Sequence, residues 1–366
     1  MKTVILGGYG NFGARICRAL SDSAGIELVI AGRNKDQASA LAAQLKSGTG
    51  VLQLDLGQAD LTQKLLGAGA ELVIHTAGPF QQQGYEVPLA VAAVKAHYID
   101  LADGRRFVCD FPAACDQAFR AAGRIAISGA STVPALSSAV VDSLTHDWRS
   151  IESIDCCIAP AQTAPRGIAT LEGVMNYCGA PIQVWHDAQW ITAYGWADLA
   201  RIEFLRLRPR LGALCDIPDL ELFPAYYRGV RSVMFRAALE IGLTQRIFAG
   251  MAALRRADIL RRPERFAKFI NMSAKSLDFL GSSLGGMVVR VIGIDAAGSP
   301  VQRAWHIAAD HDHGPEIPAM PAILLARRLA ANGITDCGAH TCISRLALSD
   351  FAPEFAKWDM VTDAVG

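Results

Sequence analysis

The residues best suited to chemistry stand at the start of the chain, in KTVILGGYGNFGARICRAL (2–20). Gly8-x-Gly10-x-x-Gly13, preceded by Gly7, follows a short apolar run and opens a helix-like stretch. At this spacing the first glycine permits a tight turn and the second lets backbone approach a pyrophosphate. The third lets helix pack on strand. The helix start, with Asn11 and Phe12, offers unpaired N–H groups and the positive end of the peptide dipole to an anion. Between a strand and a helix, the pattern predicts a dinucleotide site.

The end of the second apolar run selects the dinucleotide. An NAD site normally places a carboxylate there, to accept from the ribose 2′-hydroxyl. This chain reads LVIAGRN, with Gly32, Arg33 and Asn34 and no acid. A guanidinium suits a 2′-phosphate through paired, charge-assisted hydrogen bonds. NADP is therefore the expected cofactor and NAD the less suited one, with Arg33 and Asn34 at the ribose. The bland alternative is a solvated arginine. Asp55, in VLQLDL, is expected beside the adenine. Thr76, Ala77, Gly78, Pro79 and Phe80 are expected past the nicotinamide ribose, where Gly78 and Pro79 suit a sharp turn.

These groups need a scaffold, and the first third of the chain reads as one. TVILGG, IELVIAG, GVLQLDL, ELVIHTAG, YIDLAD and RIAISGAS alternate with helix-like stretches such as KDQASALAAQLKS and PLAVAAVKAH. Strands this apolar, separated by helices, predict an α/β fold: a doubly wound parallel Rossmann sheet covered on both faces. Near Pro134 the rhythm changes. TVPALSSAVVDSL reads as a helix with Ser131 or Thr132 as its cap. IESIDCCIAP, PIQVWHDAQWITAYGW, GGMVVRVIGID and VQRAWHIAAD predict a second α/β (α+β) domain with a mixed, largely antiparallel sheet. Long helices are expected over 232–254 and 265–280. IPAMPAILLARRLAANG returns to a helix of the first-domain type. The expected domains are 1–134, 135–315 and a segment 316–366 that rejoins the first.

At 366 residues, half of them apolar, the chain is long enough for two buried cores. Lys plus Arg and Asp plus Glu both number 35, so no overall field favours nucleic acid. Arginine clusters at 206–210 and 255–266 read as solvated faces. Nine cysteines without a Cys-x-x-Cys pair fit reduced thiols, and no uncharged apolar run spans a bilayer. With the glycine loop so close to Met1 there is no room for a signal-type apolar region, so cytoplasm is the expected compartment.

A short-chain dehydrogenase would need Tyr-x-x-x-Lys, and none of the seven tyrosines has Lys four residues on. VILGGYGNFG, AGRN, AGPFQQQGYEVPLAVAAVKAHYIDLADGRRFV and GASTVPALSSAVVD together resemble the saccharopine dehydrogenase-like proteins, as do CDIPDLELFP and GPEIPAMPAILLARRL. The resemblance implies an NADP-binding Rossmann domain and an inserted α/β domain that shapes a substrate cleft and often dimerises. It also implies a C-terminal return, and hydride transfer at a C=N or C–N centre of an amino-acid conjugate. Relatives that reduce the enoyl group of lipid chains supply one alternative, and a non-catalytic NADP-binding module another. A small-molecule substrate and a homodimer are the expected partners.

Side chains just past strands four to six are best placed to act on substrate: Tyr85, Asp103, Arg105 and Ser131. Asp103 suits a general acid, or equally a turn aspartate. Arg166 suits a substrate carboxylate, or a surface loop. His306, His311 and His313 in and before DHDHGPEIP tempt a metal reading. On an extended segment His311 and His313 would share one side, but a polar strand-end loop is favoured and no metal is expected. Trp185, Trp190 and Trp196 read as packing.

Overall fold

The alternation of the first 130 residues folds as expected. The computed structural model describes residues 1–165, 167–266, 270, 272 and 276–366. In chain order it runs β1 (Lys2–Leu6), α1 (Asn11–Leu20), β2 (Glu27–Gly32), α2 (Lys35–Ala42), β3 (Gly50–Gln53) and α3 (Leu61–Gly67). There follow β4 (Leu72–His75), α4 (Glu86–Ala93), β5 (His97–Asp100), α5 (Arg105–Ala122) and β6 (Ile125–Ser128). Next come α6 (Ser137–Thr145), β7 (Trp148–Ala159), α7 (Ile168–Asn176), β8 (Pro181–His186), β9 (Gln189–Tyr194), β10 (Ala200–Ile202) and β11 (Arg210–Leu214). Then α8 (Asp219–Tyr226), β12 (Ser232–Ala237), α9 (Gly242–Arg256), β13 (Gly285–Asp295) and β14 (Pro300–Ala309). The chain closes with α10 (Met320–Ala330), β15 (Gly338–Thr341), α11 (Leu348–Lys357) and β16 (Val361–Val365).

Two units result: Met1–Ala135 with Glu316–Ile343, and Leu136–Pro315 with Ser344–Gly366. In the first, the described strands form one parallel sheet in the order β15-β6-β5-β4-β1-β2-β3. Val4, Ile5, Ile30, Val73, Ile74, Ile99 and Ile127 are buried, as a sheet covered on both faces requires. The strand order reverses between β1 and β4, which opens a crevice at the carboxyl edge. The returning helix α10 lies on α1. Arg327 donates to the Ala19 carbonyl at 3.0 Å, and Arg15 pairs with Glu316 at 3.0 Å.

The second unit holds a mixed sheet, β10-β11-β12-β7-β13-β14-β16, with the β8–β9 hairpin attached to β12. β12 runs parallel to β7, whereas β13 is antiparallel to both β7 and β14. Trp185 and Trp190 meet edge to face at 5.1 Å, and Trp196 packs on Phe248 at 4.6 Å, so this cluster belongs to packing. Asp219 opens α8 fully buried, with neither carboxylate oxygen hydrogen-bonded among the described residues. Burial, the largest effect, pushes its carboxyl up to about 7.

Three expectations need correction. The helix over 232–254 begins only at Gly242, because Ser232–Ala237 forms β12 with Val233 and Phe235 turned into the core. Neither Ser131 nor Thr132 caps α6. Val133, forced extended (φ −123°, ψ 131°) by the proline after it, interrupts the helical turn, and α6 starts at Ser137. The segment 316–366 does not rejoin the first unit whole, since β16 pairs with β14 and carries 344–366 to the second. The helix expected over 265–280 falls partly outside the described residues. Among them no helix is long and apolar enough to cross a membrane, and none of the nine cysteines is bridged to another.

Candidate nucleotide-binding site

The turn after β1 is built by close backbone approach. Gly7 takes a left-handed φ of +73°, so the extra glycine before the motif, rather than Gly8, makes the tight bend. Gly13 packs so tightly that an added Cβ would lie 2.2 Å from the Gly7 carbonyl oxygen. Thr76, at the end of β4, donates its hydroxyl to the Leu6 carbonyl at 2.8 Å and so pins the turn from behind. No side chain caps α1, whose first residues are Asn11 and Phe12, and Gly10 at the N-cap is exposed. An uncapped helix start behind a glycine turn is an anion site in waiting.

At the end of β2, Tyr9 crosses Gly32, and its hydroxyl accepts from the Asn34 N–H at 2.9 Å. Asn34 also caps α2, accepting from the Gln37 N–H at 3.0 Å. Arg33 is exposed, and its guanidinium meets no carboxylate among the described residues. Asp55 accepts from Gly57 N–H at 3.2 Å and so shapes the turn after β3. Gln83 staples the loop after β4 by donating to the carbonyls of Ala77, at 2.8 Å, and Pro79, at 2.9 Å, on either side of Gly78. Phe80 turns inward, onto His75 at 4.9 Å and Phe107 at 5.3 Å.

Behind that loop lies a buried polar chain whose members carry no telltale spacing. His75 Nδ1 is 3.0 Å from the Tyr98 hydroxyl. Asp100 Oδ1 accepts from Ala102 N–H, Gly129 N–H and the Ser128 hydroxyl. Burial pushes the Asp100 carboxyl up to about 6 and the His75 imidazole down to about 4. One carboxylate thereby ties the loops after β5 and β6 together.

Asp103 follows on the first of those loops, half-buried, accepting from Gln81 at 3.1 Å. Burial raises its carboxyl, as a proton donor requires. Tyr85 is differently occupied. Its hydroxyl donates to the Phe107 carbonyl at 3.0 Å, its ring packs on Phe107 and Phe111, and burial raises the phenol to about 12. Tyr85→Phe is therefore expected to leave nucleotide affinity within about twofold while lowering stability by about 1 kcal/mol. Cofactor titration and urea unfolding of one preparation check both halves. A loss of binding with stability intact would contradict the anchoring role.

Residues 3–129 match the saccharopine dehydrogenase NADP binding domain family. That match is confined to the first unit. No curated protein is significantly similar in sequence. Among solved structures, the chain is similar to apo saccharopine dehydrogenase (L-Glu forming) from Saccharomyces cerevisiae. The TM-score is 0.71 at 13% identity, with 100% of both chains covered. It is also similar to the homospermidine synthase of Legionella pneumophila, solved with NAD, at a TM-score of 0.61 and 11% identity. That match covers 100% of this chain and 91% of the other. At such identities the likeness is one of fold.

In the first unit, the glycine turn, Arg33 and the Thr76–Phe80 loop all follow carboxyl ends of strands in one sheet. Asp103 joins the loop through Gln81, which directly follows Phe80. Ser131 is buried beyond β6, its N–H donating to Gly129 at 2.8 Å. Arg105 is buried at the first position of α5. Arg166 lies outside the described residues. His311 and Asp312 have left-handed φ in a turn, so the extended alternation does not hold there. His313 Nδ1 lies 3.1 Å from the Trp358 carbonyl, and Asp310 accepts from Ser283 at 2.5 Å. Among the described residues no group of three metal-binding side chains forms.

Proposed function

We propose that the protein is an NADP-dependent oxidoreductase that transfers hydride to or from a C=N or C–N centre of an amino-acid-derived substrate. One observation carries the cofactor choice: an exposed arginine without a carboxylate partner, at the end of β2, where an NAD site wants an acid. The residues fit the group. Gly13 and Gly7 leave no room for a side chain in the turn, and α1 is uncapped toward it. When bound, NADP(H) supplies the hydride. Gly10 and the start of α1 would receive the pyrophosphate, Arg33 would pair with the 2′-phosphate, and Asn34 and Tyr9 would border the ribose. The stapled Thr76–Phe80 loop would hold the nicotinamide end. Asp103, its carboxyl held above the usual range, delivers a proton to the substrate nitrogen. The fold likeness to a saccharopine dehydrogenase supports the amino-acid class of substrate, and nine unbridged thiols support a cytoplasmic setting.

NADPH oxidation against 2-oxo acids paired with amines, and separately against enoyl thioesters, tests the reaction. Turnover with the imine-forming pairs is expected. Turnover with enoyl thioesters alone would shift the reading to carbon–carbon double bonds, and silence across both would leave a binding module. For the cofactor, Arg33→Ala is expected to weaken NADP by about 10- to 100-fold, the worth of a charged hydrogen-bonded contact. NAD affinity should hardly change. Equal losses for both nucleotides in a calorimetric titration would remove Arg33 from the 2′-phosphate.

A further inference from the structure

α9 is apolar on two faces. Inward it buries Phe248 and Ala252, with Gln245 bonded to the Leu239 N–H and the Ala237 carbonyl. Outward, Leu243, Ile247 and Leu254 recur at four and seven residues, which aligns them in one stripe. They are 61%, 49% and 44% exposed. Gly250 completes the row and meets nothing nearby. Past the helix, Ile259 is also exposed. A row of aliphatic side chains standing in water marks a surface that something covers.

Charge selects what covers it. Residues 242–266 hold six arginines against two acids. Arg255 is turned to the carbonyls of Asn176 and Cys178, Arg256 lies over the Tyr194 ring, and Arg261 pairs with Asp258. Arg246, Arg262 and Arg265 remain exposed, with no carboxylate partner among the described residues. A second copy docked about a twofold axis would set this net positive segment against itself. A neutral partner would leave the three charges unused. We infer that the α9 face docks on the surface of an anionic lipid bilayer. Leu243, Ile247 and Leu254 enter the acyl boundary while Arg246, Arg262 and Arg265 meet headgroup phosphates. The inference is independent of the oxidoreductase reading.

Co-sedimentation of the full chain with vesicles of phosphatidylcholine alone, and of phosphatidylcholine mixed with phosphatidylserine, tests it. Binding to the mixed vesicles only, weakened by added salt, is expected. Leu243→Ser/Ile247→Ser/Leu254→Ser should weaken it by more than about tenfold. Arg246→Glu/Arg262→Glu/Arg265→Glu should abolish the preference for phosphatidylserine. Both variants should melt with the wild type, because these side chains face solvent. If the serine variant fails to fold, the arginine variant decides alone. The inference is overturned if the mixed vesicles gain nothing over the neutral ones. It is equally overturned if the wild type self-associates and the variants turn it monomeric, since the stripe would then join copies of the chain.

Discussion

Gly10→Val is expected to abolish nicotinamide-nucleotide binding without loosening the fold. Gly10 sits at the N-cap of α1 with φ −73° and ψ 178°, an extended conformation open to any residue. Its added Cβ would meet only the Gly7 carbonyl, at 3.0 Å, a contact the exposed turn can relieve by a small shift. The valine methyls would instead fill the space over the uncapped helix start, where a pyrophosphate must come within hydrogen-bond reach. Loss of those charge-assisted contacts should weaken binding by at least about 100-fold. Gly13→Ala is the contrasting variant. Its Cβ would collide with the Gly7 carbonyl at 2.2 Å, so binding and stability should fall together. Calorimetric titration beside thermal melting separates the two. If the valine variant binds NADP as the wild type does, the pyrophosphate lies elsewhere.

The second large effect concerns Asp219. In the unfolded chain its carboxyl loses its proton near the ordinary 3.8, whereas in the folded protein it keeps the proton to about 7. Between those values the native state binds the extra proton, so Asp219 costs stability progressively as pH rises from about 4 to 7. Above that the cost is constant, on the order of 4 kcal/mol at most. Asp219→Asn cannot ionise. It should therefore match the wild type near pH 4 and exceed it increasingly up to pH 8. Comparison at each pH cancels His75, whose depressed imidazole works in the opposite sense, costing stability as pH falls below the ordinary 6.5. Urea unfolding across this range provides the measurement. A stability difference that stays flat with pH would refute the buried-acid assignment.

The first unit was legible because its punctuation is local. Glycines and polar residues end each apolar run, and the strand–glycine–helix order carries its own spacing. Arg33 stands out as a candidate for the same reason, since its reading needs only its place after β2. What lay hidden depended on tertiary neighbours. The run SVMFRA is too short to show a period, and only its place between β7 and β11 makes it a strand. His75, Tyr98 and Asp100 fall inside ordinary strand sequence, and only the parallel register brings Asp100 to Ser128 and Gly129. Tyr85 had the right residue type for proton transfer, but α5 supplies a carbonyl that occupies its proton. The α9 arginines read as a solvated face because linear sequence did not reveal that Leu243, Ile247 and Leu254 also face outward.

The parallel pairing of β15 with β6 bears on how the protein is made. Gly338 is reached 210 residues after Ser128. A ribosome adding about 5–20 residues per second needs roughly 10–40 s to bridge that gap. Throughout that interval the nascent chain carries β6 as a bare edge, a ready template for pairing with the wrong strand. Production of the protein thus rests on shielding Ile125–Ser128 until β15 emerges, and a clone ended after Ala135 would keep that edge open permanently.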